Sequence, residues 1–333
     1  MPRSLTCALL GLVLLTANVR ADGVRWFADF DEAAMEAKAQ GKDLLVDFTG
    51  SDWCGWCIKL HKEVFDHEEW IRGASADYVF VALDFPRGTA AKRRVPNAAR
   101  NLELQQLYDV TGFPAVLLMS ADGDRFGQLG YKAGGPANYL RLMRQQRRQG
   151  RAKLERALGL AEALQTTQGD AREAALVALL VQIQRSRPSV PGFWHLIAGA
   201  RSALGEDYSA DQRARSLAVL FEKGELDSEL FELATLLDPK GLLGLREYAV
   251  RVLVEEVTDK PGARAAMGPI AAFHALGVHV NANRASHVLA LGAFWAKTIM
   301  KDEALAKTYA RSGLAIGNSN PKIAGLMRDI LGG

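Results

Sequence analysis

The chain has 333 residues, of which 49% are hydrophobic and 24% are charged, a composition typical of globular protein and a length that allows two domains. Its formal net charge is only +3, which argues against a general nucleic-acid-binding or membrane-surface role.

Residues 1–21 have the pattern of a secretory signal peptide. Arg3 supplies the positive start, residues 7–16 are apolar, and Val19-Arg20-Ala21 is a small-x-small cleavage site. The apolar part is shorter than the roughly 20 residues of a membrane span, although a retained N-terminal anchor is the alternative. We therefore expect cleavage after about Ala21 and a periplasmic or secreted protein.

Cleavage at this position would change both the charge and the cysteine content. It removes Arg3 and Arg20, which lowers the formal charge from +3 to +1, and it removes Cys7. The mature chain then keeps two cysteines, Cys54 and Cys57, which lie close together in sequence. A single close pair in an exported protein indicates a redox catalyst better than a scaffold held together by disulfides.

Residues 22–148 alternate between helix and strand signals, which predicts an α/β sandwich. Short apolar runs predict strands over 44–48, 78–85, 114–119 and 126–131, the last two joined by a turn at 121–124. Helices are predicted over 30–39, 53–65, 101–108 and 138–146. The polar, basic and proline-bounded stretch 86–99 is predicted to be a loop.

Residues 150–333 lose the strand signals and predict an all-α, helical-repeat-like domain of stacked antiparallel helix pairs. The predicted helices cover 152–164, 171–185, 193–204, 210–222, 228–237, 242–257, 263–275, 284–300, 303–316 and 322–331. The last pair has the length of a tetratricopeptide unit, but most of that repeat's signature residues are missing. The domain boundary is predicted within the basic run 147–151.

The motif Cys54-Gly55-Trp56-Cys57 lies between a predicted buried strand and a predicted helix. A helix N-terminus stabilises the thiolate of the first cysteine, and the second cysteine lies one turn further on. The spacing therefore predicts reversible dithiol–disulfide chemistry at this junction.

Two motifs on the predicted elements resemble the thioredoxin family. Residues 44–59 combine a Val-Asp-Phe strand with Trp-Cys-Gly-x-Cys, and Thr111-Gly112-Phe113-Pro114 resembles that family's cis-proline loop. The resemblance covers about 24–148 and is greatest to exported bacterial members. It implies a thioredoxin-like fold and a protein-disulfide oxidoreductase that needs no cofactor, because the cysteines carry the electrons.

The resemblance also assigns roles to site residues. Cys54 is the expected nucleophile, Cys57 resolves the mixed disulfide, and Asp47 is a buried carboxylate that exchanges a proton with Cys57. The family often pairs this acid with a lysine on the neighbouring strand, but here Phe80 is expected in that place. A partly exposed Asp47 at the strand end is the alternative.

Substrate contacts are expected from the residues that flank the cysteines and from the proline loop. Pro114 is expected to be cis and to face the cysteines, so that the backbone of Phe113 pairs with an extended substrate. Trp53 and Gly55 flank Cys54 on either side. Trp56 either stacks on the partner or shields the disulfide.

A metal site is the alternative use of these cysteines. Cys54, Cys57 and His61 have ligand-like spacing, but a fourth ligand is needed and His67 is the only other histidine nearby. Both histidines are expected on a solvated helix face, so we predict no metal and no cofactor.

Three functions remain open from the sequence. The first is an exported thiol–disulfide oxidoreductase that reduces or relays electrons to other exported proteins, with an unknown electron donor. The second is an adaptor in which the helical array binds a protein partner, although a pure adaptor does not need the cysteine pair. The third is a disulfide isomerase, for which no dimerisation segment is visible.

Overall fold

The computed structural model describes residues 25–332, so the predicted signal peptide, its cleavage site and Cys7 lie outside the described residues. The chain divides into two compact units. Among the described residues, one unit comprises 25–123 together with Gln128–Met143, and the other comprises Asp124–Gly127 and 144–332.

The N-terminal part of the chain forms a mixed five-stranded sheet. Its strands are β1 (Trp26–Phe27), β2 (Asp43–Thr49), β3 (Tyr78–Asp84), β4 (Ala115–Met119) and β5 (Arg125–Leu129), in the order β1-β3-β2-β4-β5. Strands β1 and β2 run parallel to β3, and β4 runs antiparallel to β2. The four predicted strands are confirmed within two residues at each end, and the short strand β1 was not predicted.

The helices that accompany the sheet are α1 (Phe30–Gln40), α2 (Gly55–Leu60), α3 (Glu68–Ser75), α4 (Thr89–Lys92), α5 (Ala98–Leu107) and α6 (Gly135–Thr166). Helix α2 continues into a π-helical turn, His61–Phe65. The prediction of a loop over 86–99 was wrong, since α4 and the start of α5 lie there. Helix α4 has only four residues and no side-chain cap, so it leaves no periodic pattern to detect.

Each face of the sheet carries its own apolar layer. One face packs residues of β2, β3 and β4 against α1 and α5 in a single cluster. The other face is aromatic: the rings of Trp26, Phe65, Trp70 and Phe80 lie 4.4–6.1 Å from one another. Because strand side chains alternate, Asp47 of β2 faces away from the α1–α5 layer.

Helix α6 runs without a break through the residues where the predicted helices ended and restarted. The predicted interruption between residues 146 and 152 was wrong. A Cβ atom at Gly150 would overlap the backbone carbonyl of Phe126, so this glycine permits a close approach of helix to strand.

The second unit is all-α beyond β5. Its helices are α7 (Gly169–Arg185), α8 (Phe193–Ser202), α9 (Ala210–Glu222), α10 (Ser228–Leu237), α11 (Leu245–Glu255), α12 (Lys260–Leu276), α13 (Ala282–Trp295) with a π-helical turn (Ala296–Met300), α14 (Glu303–Ile316) and α15 (Pro321–Leu331). These elements confirm the predicted helices, and two apolar clusters form their core. Across residues 25–332, every helix is too short or too polar to cross a bilayer.

Candidate active site

The two cysteines lie at the start of α2, directly after the loop that follows β2. Cys54 and Cys57 form a disulfide with an S–S distance of 2.07 Å, and they are 6% and 1% exposed. Cys54 is the N-cap of α2, and the backbone N–H of Cys57 donates to its sulfur at 3.2 Å. This N–H and the helix N-terminus are placed to stabilise a thiolate on Cys54 when the disulfide is reduced.

The loop before Cys54 is held by the segment that follows β3. Ser51 donates to the carboxylate of Asp84 through its backbone N–H at 2.9 Å and its hydroxyl at 2.6 Å. Asp52 accepts from the backbone N–H groups of Arg87 and Gly88 at 3.0 and 2.7 Å, and these bonds lower the pKa of Asp52. Two carboxylates therefore fix the chain that presents the first cysteine.

Trp53 links this loop to the proline loop. Its indole N–H donates to the carbonyl of Phe85 at 2.8 Å, and its ring meets the ring of Phe113 edge-on at 5.8 Å. The guanidinium of Arg87 lies 4.0 Å from the Trp53 ring centre. The residue next to Cys54 is thereby packed against the residue that precedes the predicted cis-proline.

The Phe113–Pro114 peptide bond is cis, as predicted. Strand β4 begins directly after it, and Ala115 pairs with Phe48 near the carboxyl end of β2. Because β2 and β4 are antiparallel, the end of one and the start of the other lie at the same edge of the sheet. The two predicted motifs are therefore brought together at that edge.

The exposed surface beside the disulfide comes from Gly55 and Trp56. No atom lies within 4 Å of the position that a Cβ on Gly55 would take, so the backbone there is open to a partner. Trp56 is 58% exposed, and its ring lies 5.1 Å from that of Tyr131, with the ammonium of Lys59 within 5.3 Å of both. The indole therefore contacts Tyr131 and Lys59 while more than half of its surface stays exposed.

Asp47 is fully buried beneath this edge, as predicted. Its Oδ2 atom lies 3.0 Å from Nε2 of His61, and its Oδ1 atom has no hydrogen-bond partner among the described residues. Burial raises the pKa of Asp47, and the bond to His61 offsets part of that rise. The carboxyl group therefore keeps one free oxygen that can bind a proton.

His61 is the site residue that the sequence reasoning missed, because it was expected on a solvated face. Its side chain is 31% exposed and packs against the rings of Trp26 at 5.6 Å and Phe65 at 5.1 Å. Burial lowers its pKa, but the hydrogen bond and charge of Asp47 outweigh this and raise it. The available signal was its position four residues after Cys57, which places both side chains on one helix face.

The neighbouring strand supplies no charged partner for Asp47. The register of β2 and β3 pairs Asp47 with Ala82, and Phe80 lies opposite Leu45. The hydrogen-bond partner of Asp47 comes instead from the segment after α2, as His61.

The other metal candidates do not converge. Within residues 25–332, no group of three or more His, Cys, Asp or Glu side chains is placed to hold a metal ion. The sulfurs of Cys54 and Cys57 are bonded to each other, His61 faces Asp47, and His67 is exposed with its Nε2 atom 3.1 Å from the carbonyl of Lys62.

Comparisons with known proteins agree with this geometry. A family model described as a thioredoxin-like domain matches residues 30–146. The disulfide bond reductase DsbH of Chlamydia pneumoniae is 33% identical over 154 residues, which are 40% of this chain and 90% of that protein. The thioredoxin-related protein DsbJ of the same organism is 30% identical over 137 residues, or 39% of each chain.

Solved structures were compared as well. A structure titled DsbH oxidoreductase is 29% identical, covers 42% of this chain and 94% of its own, and has a TM-score of 0.34. The family assignment rests on the sequence matches.

Proposed function

The chain belongs to the thioredoxin-like family of protein-disulfide oxidoreductases, and from this premise we propose that it works outside the cytosol. There it reduces, or relays electrons to, the disulfides of other exported proteins. The observation that carries the proposal is the Cys54–Cys57 disulfide at a helix N-terminus, beside the Phe113–Pro114 loop.

The proposed reaction uses only the two cysteines. The Cys54 thiolate attacks a sulfur of the substrate disulfide, which breaks that bond, forms a mixed disulfide and releases one substrate thiolate. Cys57 then loses its proton to Asp47 and attacks the Cys54 sulfur, which releases the second substrate thiolate. Two electrons pass to the substrate, whose thiolates take up protons, and the enzyme is left with the disulfide seen in the structure.

Substrate binding is assigned to the surface around Cys54. The backbone of Phe113 would pair with an extended substrate segment beside Pro114, as a strand pairs with a sheet edge. Gly55 admits the partner's backbone, and the exposed face of Trp56 contacts its side chains. Trp53 contributes indirectly, because it packs the Cys54 loop against Phe113.

The reducing direction is supported by the DsbH relative, whose name describes a disulfide bond reductase. Catalysis is assigned to the predicted domain 22–148, and the helical region 150–333 is proposed to bind a protein partner such as a substrate or an electron donor. Export rests on the predicted signal peptide of residues 1–21.

Insulin reduction tests the proposal. The full-length mature chain with dithiothreitol should accelerate insulin precipitation, and Cys54→Ser should give the uncatalysed rate. Equal rates for the two proteins would remove the enzymatic function and favour the adaptor. A reduction potential near the oxidising end of the range from about −270 to −120 mV would leave the enzyme class intact but contradict the reducing direction.

A further inference from the structure

The buried Asp47 needs a route by which its proton can exchange with water. Its carboxyl group is 0% exposed, yet each catalytic cycle must remove a proton from Cys57 and return one to solvent or to the released thiolate. Its hydrogen-bond partner is the His61 ring, 3.0 Å from Oδ2 and itself 31% exposed. The imidazole therefore spans the distance between the buried oxygen and solvent.

We propose that His61 is the positioning residue of this site: it keeps Asp47 ready to take the proton of Cys57 and passes a proton on to solvent. This inference rests on the proposed function. Helix α2 sets the arrangement, because the backbone N–H of His61 donates to the carbonyl of Cys57. The two side chains thus stand one turn apart on the same side of the helix, and that of His61 reaches Asp47.

The proton balance is simple. In the dithiol state, Asp47 and His61 share one proton across their hydrogen bond, so Asp47 is ionised and Oδ1 is free. When Cys57 gives its proton to Oδ1, the pair holds two protons, and it releases one from the imidazole to water. The bond between Cys57 and Cys54 forms as the mixed disulfide breaks.

Other ionisable groups face the pair from each packed element. Asp84 at the end of β3 raises the pKa of Asp47, and Asp66 after the π-helical turn raises that of His61. Tyr139 of α6 is buried, and burial together with the charge of Asp47 raises its pKa well above the usual range. None of these three groups is a cation, which leaves His61 to stabilise the Asp47 carboxylate.

A single-turnover assay separates the two cysteine steps. Reduced full-length protein mixed with dithiobis(nitrobenzoate) releases one coloured thiolate when Cys54 attacks and a second when Cys57 resolves. In His61→Gln, we expect the first phase to be unchanged. Without the imidazolium the hydrogen bond and charge that lower the pKa of Asp47 are gone, so that pKa rises further and the carboxyl group is protonated more often. The second phase should then be at least about tenfold slower near pH 6.

Matched variants define the outcomes. His67→Gln removes an exposed histidine of the neighbouring segment and should match the wild type in both phases. Superimposable second-phase pH profiles for wild type and His61→Gln would overturn the inference while leaving the oxidoreductase in place. A wild-type trace without any second release would instead contradict the proposed function itself.

A second measurement does not depend on the His61 variant. The pKa of His61, followed by NMR in the intact reduced protein, should fall in Asp47→Asn towards or below the ordinary value of 6.5, because the charge that raises it is gone. An unchanged His61 pKa in that variant would show that the two groups are not coupled and would overturn the inference.

Discussion

Truncation of the two tryptophans on either side of Cys54 should destabilise the Cys54 loop to very different extents. Trp53→Ala removes the hydrogen bond to the Phe85 carbonyl, the edge contact with Phe113 and the stacking of Arg87. Each contact is worth about 1 kcal/mol, so the loop should lose about 3 kcal/mol of local stability. Trp56→Ala removes mostly exposed contacts and should cost about 1 kcal/mol.

Amide hydrogen exchange measured on the oxidised full-length chain reads this difference directly. The N–H of Cys54 is bonded to the carbonyl of Gly50 at 2.9 Å, so it reports opening of the loop. A loss of about 3 kcal/mol corresponds to roughly 100-fold faster exchange in Trp53→Ala, and a loss of about 1 kcal/mol to roughly fivefold in Trp56→Ala. Trp53→Phe keeps a ring but not the N–H, and should lie between them.

The same pair of variants separates structure from substrate binding. Trp56→Ala should raise the KM for insulin while speeding the exchange of the Cys54 amide only about fivefold, far less than Trp53→Ala does. If the two alanine variants showed equal exchange, Trp53 would not hold the loop, and the reasoning from its three contacts would be refuted.

Two further predictions concern stability. The folded state raises the pKa of His61, so its contribution to stability is complete below pH 6.5, the ordinary pKa of histidine, and is lost as the pH rises through the folded pKa. The folded state also raises the pKa of Asp47, so stability falls as the pH rises above 3.8, the ordinary pKa of aspartate. In urea unfolding, the advantage of wild type over Asp47→Asn should therefore shrink from about pH 5 to about pH 9, and a constant or growing advantage would contradict it. Gly150→Ala should destabilise the protein by about 1–3 kcal/mol, because the new Cβ atom overlaps the Phe126 carbonyl. Gly159→Ala in the same helix meets no atom and should stabilise the protein by about 0.5–1 kcal/mol. Equal shifts of the two variants in thermal melts would be inconsistent with an unbroken α6.

The parts of the fold that were predicted are those with local signals. The strand from Leu44 to Phe48 is short and uniformly apolar, and the cysteine motif and Pro114 stand at its end and at the start of its antiparallel neighbour. Each of these features depends on residues close in sequence. The burial of Asp47 followed in the same way from its place inside an apolar strand.

The features that were missed depend on contacts between distant residues. The basic run 147–151 indicates a separation of two helices in sequence, and only the nearby carbonyl of Phe126 shows why Gly150 stands inside a continuous helix. His61 sits among charged neighbours in sequence, so its pattern indicates a solvated face. Its true surroundings, Trp26 and Asp47, come from two different strands.

Trapping of the mixed disulfide tests the central claim most directly. Reduced Cys57→Ala should attack insulin and remain joined to one insulin chain through Cys54, as a covalent adduct that mass spectrometry identifies and dithiothreitol releases. Cys54→Ser should give no such adduct. Absence of the adduct in Cys57→Ala, or an equal amount in Cys54→Ser, would contradict the assignment of Cys54 as the nucleophile that exchanges disulfides with other proteins.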